Sequence, residues 1–524
     1  MSYDYIIVGA GSAGCVLADR LSADGKTRVL LLEAGPTDKK QEVHIPAAFS
    51  KLFKTPLDWD YETEPQEHMA GRKLYWPRGK MLGGSSSINA MIYQRGNPLD
   101  YDRWANLGNA GWSYRDVLPY FKSLENYYGG ASEYHGVDGP LCVNKLRSPN
   151  PLSKHFVRAC KQVGLPLNDD FNGATQEGFG LYQVTQKGGQ RHSAADAFLK
   201  PAMKRKNLKV ETEAEVTRLL FEGMRCVGVA YRRKGKEETA TAAKEVILSG
   251  GAINSPQLLL LSGVGDAAQL QALGIPVVKN LPGVGQNLQD HLALGVYYAC
   301  KRKVTLAHAE SVRHVATYLL RHRGPLTSNV GEAGGFTYLN PESPEPDLQF
   351  HFAPSYFIRH GFDNPAGDGY TIAPTLVQPK SVGYLKLRSA DPSDKPIIDA
   401  KGLSDEADLA CMVDGLKLAR RIGQAKAFNR YRGAEFLPGE SVQSDDELRD
   451  YVRTRVETLY HPVGTCKMGS DSMAVVDSRL RVYGLAGLRV VDASIMPTII
   501  NANTNVPAMM IAAKAADMIL ESKT

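Results

Sequence analysis

The chain has 524 residues, 43% of them hydrophobic and 23% charged, a balance typical of globular enzymes and too long for one simple core, so two domains are expected. A formal net charge of +6 spread over this length does not point to nucleic acid. Seven scattered cysteines with no Cys-x-x-Cys pair argue against a disulfide framework or a zinc site.

The first predicted element is a buried strand, Asp4-Tyr5-Ile6-Ile7-Val8. It begins four residues into the chain and leaves no room for a signal peptide. No apolar stretch approaches the ~20 residues needed to span a bilayer, so a reducing, cytoplasmic setting is expected. Gly9-Ala10-Gly11-Ser12-Ala13-Gly14 follows, then helical periodicity through Leu21, then a second apolar run, Val29-Leu32, closed by Glu33. Each position has a task in dinucleotide binding. Gly9 permits the tight turn, Gly11 lets a pyrophosphate approach the backbone, and Gly14 lets helix and strand pack closely. The helix N-terminus offers N–H groups to phosphate, and Glu33, about 20 residues past the last glycine, sits where a carboxylate accepts from a ribose diol. Gly25-Lys26-Thr27 is the turn before the second strand; Arg20 stands where a phosphate-binding P-loop needs glycine.

A second glycine-rich block, Gly83-Gly84-Ser85-Ser86-Ser87-Ile88-Asn89-Ala90-Met91-Ile92, suits either a backbone lying flat against a ligand or a serine-capped loop-to-helix junction. Leu208–Thr212 and Ala214–Leu220 read as short strands. After the strand Glu245–Leu248, Ser255 is expected to cap a helix with Pro256 at its first position and Gly263 past its end. Val312–Arg323 has helical spacing with a basic end; a solvated face is the plain reading, a membrane-surface or quinone-partner face the alternative. In the strand Leu348–Phe352, alternation puts Gln349 and His351 on one face, where His351 either contacts substrate or makes a structural hydrogen bond.

Near the C-terminus stand Tyr460-His461-Pro462-Val463-Gly464-Thr465 and Asn503-Thr504-Asn505-Val506-Pro507. Oxidising an alcohol removes a hydroxyl proton and an α-carbon hydride. An imidazole with an ordinary pKa near ~6.5 is suited to accept the proton, and Pro462 disfavours helix at His461, which helps fix the ring. A carboxamide, Asn505, donates to a developing alkoxide without competing as a base. Pro507 is expected to open a closing helix, placing Asn505 at its positive end.

The three glycine and serine blocks with the closing His/Asn pair resemble the glucose–methanol–choline oxidoreductase family, from Tyr3 to about Ile519, and most of all its bacterial FAD-dependent alcohol and choline dehydrogenases. The resemblance implies an α/β fold in which a Rossmann-like FAD-binding domain (1–158, 202–309 and 458–524) is interwoven with a substrate domain built on an antiparallel sheet with helices (159–201 and 310–457). It assigns Gly9, Gly11, Ser12, Ala13 and Gly14 to the pyrophosphate, Glu33 to the ribose, and Ser85, Asn89, Ala90 and Ile92 to the flavin. Val216 is matched to the adenine, and Asp492-Ala493 to the second phosphate and ribityl site. Some family members attach FAD through a histidine just before the asparagine of the second block. Here Ile88 has no nucleophilic atom, so the FAD is expected to be non-covalent there.

These readings predict an FAD alcohol dehydrogenase that transfers hydride from a small alcohol to flavin N5 and passes electrons to a quinone or other carrier. The alternatives are an oxidase of the same fold using O₂ and a lyase that keeps flavin without redox chemistry. Tyr460 and Tyr356-Phe357 suggest a partly apolar substrate pocket.

Overall fold

In the computed structural model, which describes residues 2–363 and 365–521, the N-terminal apolar run lies in the middle of a seven-stranded sheet. The strand order is Leu208–Glu211, Val29–Leu32, Ser2–Val8, Lys236–Leu248, Arg225–Arg233 and Ala214–Glu222, with Leu488–Val490 paired to Lys236–Leu248. Ser2–Val8 runs parallel to both neighbours. Ile6 and Ile7 point to opposite faces and both are fully buried, which is why the run carries no polar alternation. The helix Ser12–Leu21 folds back onto this strand. A Cβ on Gly14 would lie 1.9 Å from the carbonyl oxygen of Gly9, so only glycine permits that approach.

The second sheet has eight strands, with Arg432–Leu437, Val296–Cys300, Gly369–Leu376, Leu348–Ala353, Ala333–Thr337 and Gly178–Leu181 in order, and with short strands Leu292–Ala293 and Glu457–Thr458 at one side. Neighbouring strands in this order pair antiparallel. Residues 292–300 fall in the stretch expected for the nucleotide domain, yet they supply two strands of this sheet. Alternation decides its faces. Leu348, Phe350 and Phe352 are fully buried on one side, where Phe352 stacks on Phe156 at 4.8 Å and the helix Glu406–Gln424 lies against the sheet. Gln349 and His351, with Thr375 and Ala373 directly opposite, take the other side.

Two helix starts differ from expectation. The helix placed at Ser255–Pro256 runs from Gly251 to Leu261. Its cap comes from far along the chain: Asp492 Oδ2 accepts from Gly251 N at 2.9 Å and from Ser255 Oγ at 2.6 Å. Pro256 cannot donate to the carbonyl of Ala252, and Thr465 Oγ1 does so instead at 2.6 Å. The closing helix spans Asn505–Glu521, so it opens two residues before Pro507, which sits in the first turn where no N–H is required. Each of the seven cysteines is a free thiol. Among the described residues no helix is long and apolar enough to cross a membrane.

Candidate active site

A cavity of about 670 Å³ lies between the C-terminal ends of the parallel strands and the Gln349/His351 face of the second sheet. That is where an open α/β sheet presents a ligand site. Every residue expected at the site lines this cavity except Gly14, which packs beneath the first turn, and Tyr356, whose ring packs on Phe436 at 5.4 Å outside the cavity wall.

The end at the parallel sheet is built for a dinucleotide. Gly9 has φ 98°, the left-handed turn that lets the chain leave the strand. The helix Ser12–Leu21 starts with Gly11 as N-cap, no capping side chain and no acid in its first turn, so its positive end stays open to an anion. A Cβ on Gly84 would lie 2.7 Å from Gly11 Cα, which shows how closely the second block is laid on the first. Glu33 accepts from Ala10 N at 2.8 Å and Gly35 N at 2.9 Å, and burial lifts its carboxyl to about 7. Each oxygen keeps a second lone pair for a diol. Ser85 Oγ accepts from Gly79 N at 3.2 Å, and Asn89 Oδ1 accepts from Arg191 Nη1 at 2.8 Å and from Met91 N at 3.0 Å. Ile92 pairs with Val184, Ala90 packs beside Ile88, and Val216 and Ala493 line the wall. These donors, acceptors and close backbone approaches fit FAD. Ile88 itself lies in an apolar cluster with Phe49, Phe53 and Met81. Asp38, His44 and Asp196 come close enough to hold a metal, but Lys200 Nζ lies 2.7 Å from Asp38 Oδ2 and 2.6 Å from Asp196 Oδ1 and takes a cation's place.

The other end holds a chain of oriented side chains. Tyr182 OH donates to the carbonyl of Phe350 at 2.6 Å and accepts from Gln349 Nε2 at 3.2 Å. Gln349 Nε2 also donates to Asn503 Oδ1 at 3.2 Å, which turns the Asn503 amide nitrogen toward His461 Nε2, 3.3 Å away. His461 Nδ1 lies 2.9 Å from His291 Nδ1, and His291 Nε2 lies 3.2 Å from the carbonyl oxygen of Val377. Only an N–H satisfies a carbonyl, so His291 carries its proton on Nε2 and its Nδ1 accepts. His461 therefore donates from Nδ1, and its Nε2 presents a lone pair. Burial, then the neighbouring rings of His291 and His351, hold His461 well below 6.5; burial also lowers His291 to about 3 and His351 to about 4.

The backbone around His461 is held firmly. Its N–H donates to Asp290 Oδ1 at 2.7 Å, and Thr458 Oγ1 donates to the other oxygen of that carboxyl. Burial lifts Asp290 to about 7. Tyr460 has φ 70°, a strained value for a bulky residue, and is fixed by Arg78 on its carbonyl and by a 2.7 Å bond between its hydroxyl and His360 Nδ1. Tyr460 lines the cavity with Phe53, 6.0 Å from it ring to ring. His351 Nδ1 meets Thr375 Oγ1 at 3.1 Å, while its Nε2 is buried without a partner among the described residues.

His461 and Asn505 line the same cavity, but among the described residues no direct hydrogen bond joins them. Asn505 is the first residue of the closing helix, and its Oδ1 accepts from Ser12 Oγ at 2.6 Å, tying that helix start to the start of Ser12–Leu21. Asn503, two residues earlier and outside the helix, is the one that meets His461. His291 was not anticipated; its signal was the polar run Gln289-Asp290-His291 just before an apolar stretch.

Two family models for GMC oxidoreductases match the chain, over residues 3–293 and 379–512. The chain belongs to the GMC oxidoreductase family. As a member of it, the protein is an FAD-dependent oxidoreductase. It is 49% identical over 527 residues to an alcohol dehydrogenase [acceptor] of Pseudomonas putida, covering 99% of this chain and 96% of that one. It is also 49% identical over 531 residues to a mitochondrial choline dehydrogenase of Homo sapiens, covering 99% and 89%. Among solved GMC-like structures it resembles pyridoxine 4-oxidase from Mesorbium loti, with TM-score 0.91, 33% identity and coverage of 98% and 99%.

Proposed function

We propose that the protein oxidises a small alcohol to an aldehyde or ketone, with His461 Nε2 taking the hydroxyl proton and Asn503 holding the oxygen. The observation that carries this reading is the Val377–His291–His461–Asn503–Gln349 chain, in which the His461 Nε2 lone pair faces the Asn503 amide donor across 3.3 Å, so an alcohol oxygen entering between them would meet both. Bound FAD supplies the acceptor for the hydride. His461 is uncharged near neutrality and ready to accept a proton, because burial opposes its charged form. The Asn503 amide is already oriented, so little reorganisation is needed to donate to an alkoxide. Phe49, Phe53, Tyr297, Phe357 and Tyr460 give this end of the cavity an aromatic wall, and Glu457, the nearby carboxylate, is engaged by Arg72 and His360. Such a wall suits an apolar alcohol, and its ring faces equally suit an alcohol that carries a quaternary ammonium group.

For the acceptor, the reading is a quinone or other carrier, with O₂ as the alternative; the relatives include both a dehydrogenase named for an acceptor and oxygen-dependent choline dehydrogenases. Asn505 serves the cofactor end, where two helix N-termini meet. FAD is held without a bond to residue 88, since Ile88 offers no nucleophile.

The test is anaerobic flavin reduction by alcohol in stopped flow. His461→Ala is expected to slow it roughly 10²–10⁴-fold while retaining FAD. Asn503→Ala is expected to slow it by about 2.7–4 kcal/mol at most, and Asn505→Ala chiefly to weaken FAD retention. A parental reduction rate in His461→Ala, or a larger rate loss in Asn505→Ala than in Asn503→Ala, overturns these assignments. Repeating turnover under air identifies the acceptor class.

A further inference from the structure

We infer that the helix Val312–Arg321 is a docking surface for an anionic lipid bilayer. Val312, Leu320 and Leu319 are 88%, 82% and 57% exposed, the three most exposed large apolar side chains among the described residues. All three belong to this one ten-residue helix. At 100° per residue, positions 312, 316, 319 and 320 form one continuous stripe, and Ala316 fills the gap in it. The opposite side anchors the helix to the body: Tyr318 is buried with Ala309 and Leu326, and Val315 packs on the same cluster. The face left to solvent is therefore the apolar one.

Charge identifies what covers it. Between residues 301 and 324 the chain carries Lys301, Arg302, Lys303, Arg313, Arg321 and Arg323 against one carboxylate, Glu310. That carboxylate is engaged by Lys51. Among the described residues Arg313, Arg321 and Arg323 form no ion pair and are exposed. Lys303 lies near His314 at the start of the helix, where both line a small surface pocket. An apolar stripe with a basic surround fits a surface that is apolar within and negative at its rim, as an anionic bilayer is.

The position is also informative. The cluster under the helix includes Ile45 and Ala47, and the same segment continues to Phe49 and Phe53, which line the cavity. A bilayer on this face would lie beside the aromatic wall. The docking itself does not depend on which acceptor the enzyme uses.

The test is co-sedimentation of the FAD-loaded protein with vesicles of phosphatidylcholine alone and with a quarter phosphatidylglycerol. Binding to the anionic vesicles is expected, weakening as salt rises, with little binding to neutral ones. Replacing Leu319 and Leu320 together by Ser should reduce partition about tenfold or more, and Arg321→Gln with Arg323→Gln roughly fivefold per charge. Both variants should keep full FAD content and parental turnover with a soluble acceptor, which separates loss of docking from loss of the chemistry. The inference is overturned if the parent stays in the supernatant with anionic vesicles, or if the double Leu variant binds as the parent does. It is equally overturned if sedimentation velocity shows a dimer that this variant abolishes and no vesicle binding.

Discussion

At the scale of single residues, the protonation state of His461 is set from behind. His291 accepts from His461 Nδ1 only because its own proton is held by the Val377 carbonyl. His291 thus fixes the tautomer of His461 from outside the cavity wall. His291→Phe is expected to bind FAD and to lose much of the roughly 10²–10⁴-fold contribution of the base, because the tautomer is no longer fixed. His291→Gln, whose side-chain oxygen can accept, should recover part of it. The pH profile supplies an independent readout. A general base works uncharged, and burial lowers the His461 pKa, so the acid limb of the parental kcat/KM profile should fall well below pH 6.5. A limb at or above 6.5 would show that His461 is not this buried, neutral base. Sequence could not reach this relay. His461 was legible from its motif, but Asn503 and Asn505 are two positions apart and chemically identical in sequence. Only the start of the closing helix at Asn505 separates the one that meets His461 from the one tied to Ser12.

At the scale of elements, the strands were the most legible part. Ile6-Ile7-Val8 and Val29–Leu32 are buried on both faces, and such runs have few alternatives in sequence. The helix Gly251–Leu261 was legible in existence and not in extent. Its sequence offers a local cap at Ser255, but the cap in use is Asp492, 237 residues away. The same helix contains Pro256, whose missing N–H leaves the Ala252 carbonyl to Thr465. Thr465 is fully buried and absent from the cavity wall. Thr465→Val keeps its shape and removes the donor, so the unpaired carbonyl should cost roughly 1–3 kcal/mol, read as a lower denaturation midpoint with an unchanged slope. Parental stability in this variant would show that the helix does not depend on that bond.

At the scale of the whole molecule, the cavity lies where two sheets contributed by interleaved segments face one another, with the glycine turn at the parallel sheet and His461 and Asn503, both on loops, held against the second sheet through Gln349. FAD spanning that cavity should stabilise the fold by linkage, by about 2.7 kcal/mol at a hundredfold excess over Kd. Glu33 makes that linkage depend on pH. Its carboxyl rises from an ordinary 4.5 to about 7 in the fold because burial opposes its charge. The native state of the FAD-free protein therefore holds a proton that the unfolded chain releases. The stabilising contribution is full below about 4.5 and is lost as pH rises through about 7. Ribose hydroxyls donating to the carboxylate would favour its charged form and offset that loss. Acid precipitation should release the flavin to the supernatant, since Ile88 cannot hold it covalently, and refolded FAD-free protein should lose stability between pH 5 and pH 7.5. Glu33→Gln should reduce that slope, leaving the part due to Asp290 and Asp100, which burial also lifts to about 7, and should weaken FAD retention, although one of the amides of Ala10 and Gly35 then loses its acceptor. Thermal melts across this range, with and without added FAD, decide the matter. Equal slopes for the parent and Glu33→Gln would mean that Glu33 is not the group that couples the cofactor end of the cavity to the stability of the fold.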